Sequence, residues 1–203
     1  MSSESPFQSL GQGGVTLRPA TLDDIPAALR LMDIAVDWLV KRGQPGQWGT
    51  EKPSEDPARV EHATQFVESG GTWIAVDNTA SPKSGESGEE LSIINSVVGV
   101  LTVGKANPYV EPATDPELYI NFLITDRASS GKSIGTLLLD KARGLAREAG
   151  VSLLRVDCYA GGSGGLVRYY ESQGFEKTDA FEIKDWPGQI LIQRLNIGNK
   201  SGG

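Results

Sequence analysis

The sequence predicts a fold of the α/β (α+β) class, a mixed sheet of about seven strands flanked by four helices. Three observations predict it. Apolar residues switch between helical and strand spacing in the order β α α β β β α β α β β. The second half of the chain holds two strand-then-helix units. A length of 203 residues supports one sizeable core and, once its polar segments are set aside, not two.

Each element has its own signal. Residues 1–13 are rich in Ser, Gly and Gln and carry too little apolar surface to offset the entropy of ordering, so a disordered arm is expected there. One domain is expected over 14–197. Val15 to Pro19 reads as a first strand, with Thr21 or Asp23 as the cap of the first helix. Ile25, Leu29, Met32, Val36 and Leu39 recur at helical spacing until Gly43 stops the run, and a second helix is expected from Pro57 to Glu68. Trp73 to Val76, Ser96 to Val103 and Leu118 to Thr125 are short, partly β-branched runs of strand character. Between the first two of these, residues 78–91 have the composition of a long mobile loop. A helix from Ile134 to Ala149 places Leu138, Ala142 and Leu145 on one face, and Gly150 ends it. Leu153 to Cys158 is a strand, Leu166 to Gln173 a short helix, and Phe175 to Ile183 with Gln189 to Leu195 a closing pair of strands. Residues 198–203 read as a frayed tail.

Composition narrows the function classes. Nineteen Lys and Arg against twenty-six Asp and Glu give a formal charge of −7, which disfavours nucleic acid as a partner. No apolar run approaches the length of a membrane span, and the N-terminal segment shows neither a secretory nor a transit pattern, so no membrane partner and a cytoplasmic address are expected. With one cysteine, Cys158, and one histidine, His62, no disulfide and no metal site are expected. The strand position of Cys158 suits a small buried hydrophobe, and His62 a surface or partly packed helix residue.

The segment from Asp126 to Gly135 follows an apolar strand and opens an amphipathic helix. Small residues at such a junction let the main chain approach a ligand, and the first N–H groups of the helix, with its dipole, favour an anion. A Gly- and Ser-rich turn with no ligand is the alternative. Gly131-Lys132-Ser133 matches the end of a Walker A loop, but that motif needs Gly where Asp126 stands. The Rossmann spacing is also absent.

Strand Leu118 to Thr125, turn Arg127 to Gly135 and helix Ile134 to Ala149 together resemble the coenzyme A signature of the GNAT superfamily of N-acetyltransferases. That signature is Arg or Gln, two residues, Gly, one residue, then Gly or Ala; here the positions are Ser130, Ser133 and Gly135. Leu166-Val-Arg-Tyr-Tyr-Glu-Ser-Gln-Gly-Phe175 resembles the family's short helix and Gly-Phe ending. The resemblance implies a mixed, mostly antiparallel sheet, acetyl-CoA as co-substrate, and direct transfer to the amine of a small molecule or peptide in a ternary complex. A homodimer is compatible with it. It implies cofactor contacts from Leu123, Ile124 and Thr125, from Ser130, Gly131, Lys132, Ser133, Ile134 and Gly135, and from Ser163, which stands where the family often has Asn. Tyr170, four residues before Gly174, stands where many members protonate the departing thiolate.

Acetyl transfer needs a neutral amine, a partner for charge on the carbonyl oxygen, and a proton for the leaving sulfur. A thiol of pKa about 8.5 can take its proton from a tyrosine of pKa about 10 late in the reaction. The resemblance assigns the oxyanion to a main-chain N–H near Leu123 or Ile124. It places a base where Asn121 stands, so Asp157 and Glu117 become the nearest carboxylates. Asp157 could instead cap a turn or pair with Arg155 or Arg168, and that structural reading is the favoured one. Alternation puts Tyr119, Asn121 and Leu123 on one strand face. Trp48 and Trp186 lie in expected loops, where they could wall the acceptor pocket beside Tyr119 or anchor the loops; Trp38 and Trp73 have core spacing. A binder of acyl-CoA that lacks catalysis is the competing reading.

Overall fold

The computed structural model describes residues 14–79 and 96–197. The expected arm and tail, and most of the expected loop over 78–91, lie outside the described residues.

Seven strands form one sheet in the order β1-β2-β3-β4-β5-β7-β6. In chain order the elements are β1 (Val15–Pro19), α1 (Ile25–Lys41), α2 (Pro57–Glu68), β2 (Thr72–Asp77), β3 (Val97–Gly104), β4 (Glu117–Thr125), α3 (Ile134–Glu148), β5 (Leu153–Tyr159), α4 (Gly165–Ser172), β6 (Glu176–Ile183) and β7 (Trp186–Arg194). Every neighbouring pair is antiparallel except β4 with β5. The fold is therefore the mixed, mostly antiparallel architecture that the sequence predicts. Trp186 is a correction: it opens β7 rather than lying in a loop.

Helix α1 is entered through a short 3-10 turn, Leu22–Asp24. Thr21 caps that turn and Asp24, not Asp23, occupies the cap position of α1. Asp24 is buried, yet its carboxyl sits below the usual range. Burial opposes the charge, but two 2.8 Å bonds from the Arg18 guanidinium and one from Thr21 N–H outweigh it.

Helices cover both faces of the sheet's centre, which is why nearly every residue of β3 is buried. On one face Leu138, Leu139, Ala142 and Ala146 of α3 pack on Val98, Leu101, Leu154 and Leu191. On the other, Leu31 and Ala35 of α1 pack on Ile74, Val100 and Ile124. Truncating a fully buried leucine such as Leu138 costs about 2–5 kcal/mol. Gly99 allows α3 to lie close on β3, since a Cβ there would stand 2.9 Å from Ile134 Cγ2 and 3.0 Å from Leu138 Cδ1.

Two irregularities of β4 shape the site. A bulge at Asn121 interrupts its register with β3, where Thr102 faces Phe122 and Val103 faces Ile120. Side-chain alternation inverts across it: Ile120 and Leu123 pack toward α3, Phe122 toward α1, and Tyr119 in a third cluster with Val110 and Ile190. The expected common face for Tyr119 and Leu123 is thereby corrected. The second irregularity is that β4 and β5 stay paired only from Glu117 with Leu153 to Ile120 with Val156. Beyond that point the strands part.

Candidate active site

The turn after β4 is a short 3-10 segment, Arg127–Ser129, capped by the Asp126 carboxylate accepting from Ala128 N–H at 3.0 Å. Gly131 and Ser133 then adopt left-handed backbone, with φ of 91° and 54°. Ser133 is the cap residue of α3, but no side chain caps the helix. Its first N–H groups thus have neither an intrahelical partner nor a side-chain one. A Cβ on Gly135 would stand 2.3 Å from Tyr169 Oη, so α4 closes directly on the start of α3. That buried hydroxyl has no hydrogen-bond partner.

A cleft of about 840 Å³ opens over these amides. Among the expected cofactor contacts, Leu123, Ile124, Thr125, Ser130, Gly131, Ser133, Ile134, Gly135 and Ser163 line it. Lys132 does not: its ammonium turns away to Asp77 Oδ2 at 2.6 Å. Lys132 and Thr79 bind the Asp77 carboxyl and pull its pKa down to about 2. The Ile124 side chain is buried toward α1, which leaves its main chain as the part that can meet a ligand.

A second cleft of about 430 Å³ lies toward the α1 side. Gln47, Trp48, Leu123, Tyr159 and Leu166 line both, so the two meet where β4 and β5 part. Every second main-chain N–H of β4 beyond Ile120 faces that gap without a strand partner. Tyr170 is buried and lines the second cleft. Burial raises its pKa above the ordinary phenol value, with smaller contributions from Cys158 and Tyr169, so the hydroxyl stays a proton donor at neutral pH.

Asp157 also lines the second cleft, and its partners are not the arginines the sequence suggests. Tyr119 Oη donates to Oδ1 at 2.5 Å, and Tyr109 Oη donates to Oδ2 at 3.3 Å while accepting from Asn107 Nδ2 at 2.8 Å. Arg155 instead pairs with Glu117 at 2.9 Å, which removes Glu117 as a free carboxylate, and Arg168 donates to the Ser163 carbonyl. Asn121, on the bulge, donates to the Lys105 carbonyl at 2.8 Å. Cys158 is buried and its thiol is pushed up to about 12, chiefly by desolvation, so it is no nucleophile at neutral pH.

Aromatic side chains wall this cleft. Trp48 stacks on Phe122 with ring centroids 6.3 Å apart, and Trp186 lies 5.6 Å from Tyr159 while its Nε1–H donates to Gln47 carbonyl at 3.0 Å. Trp186 thus both lines the cleft and anchors the loop that carries Trp48. Trp38 is a further correction, since it lines the wide cleft at a half-buried position instead of lying in the core. Tyr109 and Asn107 carry no periodic signal in the sequence; an aromatic beside the Asn107-Pro108 turn is the one available cue. Tyr159 directly follows Cys158, and strand alternation turns it toward the gap.

Among the described residues, no group of three or more His, Cys, Asp or Glu is placed to hold a metal ion, and no helix is long and apolar enough to cross a membrane.

The family model described as the acetyltransferase (GNAT) family matches residues 45–175. The chain belongs to that family, and its general chemistry is acetyl-CoA-dependent acyl transfer. Solved structures agree in fold. A GNAT-family acetyltransferase from Listeria monocytogenes 4b F2365 is 18% identical with a TM-score of 0.61, over 93% of this chain and 100% of that one. Ribosomal-protein-alanine N-acetyltransferase from Brucella melitensis is 21% identical with a TM-score of 0.58, over 88% and 99%. YncA from Salmonella typhimurium, solved with its cofactor acetyl-CoA, is 16% identical with a TM-score of 0.56, over 94% and 98%. No curated protein sequence matches the chain.

Proposed function

We propose that this chain moves an acetyl group from acetyl-CoA directly to the primary amine of a small molecule or peptide, with both substrates bound at once. The observation that carries this reading is the junction of the two clefts at the gap between β4 and β5. The wide cleft takes the cofactor, its diphosphate at the uncapped amides that open α3 and its pantetheine arm running into the gap. The aromatic cleft takes the amine, whose positive charge suits Trp48, Trp186 and the Asp157 carboxylate.

Asp157 accepts a proton from the ammonium as the amine approaches, directly or through one water. The neutral nitrogen attacks the thioester carbonyl, forming the C–N bond and placing negative charge on oxygen. An unpaired N–H of β4 near Leu123 or Ile124 stabilises that charge. As the C–S bond breaks and the carbonyl re-forms, Tyr170 gives its proton to the sulfur, and the extra proton on nitrogen passes through water to the Tyr170 oxygen, leaving amide, thiol and neutral tyrosine. Tyr119 and Asn121 position rather than react: one holds Asp157, the other ties the bulge to the Lys105 carbonyl.

Incubation with acetyl-CoA and a panel of primary amines tests the reading, following free thiol and the mass of each amine. The expected result is stoichiometric thiol and acetylated amine for at least one compound. Binding of acetyl-CoA with no acetylation across a broad panel would instead support a non-catalytic acyl-CoA binder.

A further inference from the structure

The wide cleft has an electrostatic imbalance that the main-chain cradle does not explain. Its lining contains two guanidinium groups, Arg42 and Arg127, and one carboxylate, Asp126, which already caps the turn. The ion pairs among the described residues go to Arg18, Lys132, Arg143, Arg155, Lys177 and Arg194, so neither cleft arginine has a carboxylate partner. Instead both guanidinium carbons lie over the same indole, Arg127 at 3.6 Å and Arg42 at 4.6 Å from the Trp38 ring centroid. Two like charges on one ring repel, and Arg127 is accordingly pushed below its ordinary pKa by burial and by Arg42. Carboxylates are plentiful among the described residues, yet none of them pairs with either guanidinium. The arrangement suits an incoming anion with several acceptor oxygens, since each guanidinium presents a fork of donors in a fixed plane.

We propose that Arg42 and Arg127, steadied by Trp38, grip a phosphate of coenzyme A's nucleotide end and supply the cationic contact that the turn lacks at Ser130. This inference rests on the reading that the wide cleft holds the cofactor. It joins α1 to the phosphate turn, because Trp38 and Arg42 come from the end of α1 and Arg127 from the turn itself. Lys132, the cation that sequence alone would choose, is committed to Asp77.

Calorimetric titration of the full chain and of the variants Arg42→Gln, Arg127→Gln and the double variant tests it. The ligands are coenzyme A, dephospho-coenzyme A, which lacks the 3′-phosphate, and pantetheine, which lacks every phosphate. Loss of one charge-assisted contact is expected to weaken coenzyme A about tenfold in each single variant. The wild-type affinity should also weaken as salt is raised, and the double variant should lose most of that dependence. If the loss persists with dephospho-coenzyme A, the diphosphate is the group held; if it vanishes, the 3′-phosphate is. Either outcome supports the proposal, provided that pantetheine binds the variants as it binds the wild type. Coenzyme A affinity within twofold of wild type in the double variant overturns it, as does an equal loss with pantetheine, which would make the pair purely structural. A wild-type protein that binds no coenzyme A would overturn the cofactor reading itself, a distinct result.

Discussion

Tyr119 Oη donates a 2.5 Å hydrogen bond to Asp157 Oδ1, across the last stretch over which β4 and β5 remain paired. The bond joins a fully buried ring to the carboxylate lining the smaller, aromatic-walled cleft. It leaves Oδ2 with only the longer contact to Tyr109. Asp157 is thus held most tightly through Oδ1, while Oδ2 carries the weaker bond.

Asp157→Asn removes the proposed proton acceptor while keeping the shape of the side chain. It is expected to lower kcat about a hundredfold. Tyr119→Phe keeps the carboxylate but frees its orientation, and a loss of about tenfold is expected, with acetyl-CoA affinity unchanged in both. Steady-state kinetics at saturating acetyl-CoA measure this. An Asp157→Asn enzyme within twofold of wild type would assign the proton to bulk water.

Tyr170→Phe removes the proposed donor to sulfur without changing the ring. Its kcat should fall about a hundredfold while the Kd for acetyl-CoA stays within twofold. Because burial raises the hydroxyl pKa, wild-type turnover should show no loss from deprotonation of this group up to about pH 10. Equal turnover in the variant would remove Tyr170 from the chemistry.

Ser133 occupies left-handed backbone at φ 54°, a conformation costing a residue with a Cβ about 1 kcal/mol. Ser133→Gly relieves that strain at the mouth of α3. Thermal unfolding should show a rise in Tm of about 2 °C, reduced from the full value by the freedom glycine adds to the unfolded chain. A fall in Tm would show that the serine side chain contributes more than its backbone costs.

The Lys132–Asp77 pair ties the turn before α3 to the end of β2, and acid should loosen it. The Asp77 pKa is lower folded than unfolded, about 2 against an ordinary 3.8, so its contribution is complete above about pH 4 and is lost as pH falls toward 2. Lys132 is half-exposed, which limits the pair to about 1 kcal/mol or less. In Lys132→Met the decline of Tm between pH 4 and pH 2 should be shallower than in wild type. An unchanged slope would place the acid sensitivity elsewhere, at the Arg18–Asp24 pair first.

Much of this architecture is legible in the sequence because periodicity reports burial directly. α1 buries Leu29, Val36 and Leu39 as their helical spacing indicates, and α3 begins at Ile134, where small residues give way to a helical stripe. Local pattern fails where geometry depends on a partner strand. The bulge at Asn121 leaves no trace in composition, yet it inverts alternation and separates Tyr119 from Leu123. Ion pairs are equally opaque: Lys132 lies in the phosphate turn by sequence, but Asp77, 55 residues earlier, captures it. Trp38 has core spacing on α1, and only the approach of Arg127 from the turn reveals it as part of the cleft wall. Asp157 is visible as a carboxylate on a strand, while its tyrosine partners come from β4 and from an irregular loop.

The central claim is that the thioester lies where β4 and β5 part. A crystal structure of the protein with acetyl-CoA tests it most directly. The expected density places the diphosphate on the main-chain amides from Gly131 to Gly135, and the sulfur between Leu123 and Tyr159 within hydrogen-bonding reach of Tyr170 Oη. Cofactor bound with its sulfur outside that gap, or a diphosphate resting away from the start of α3, would contradict it.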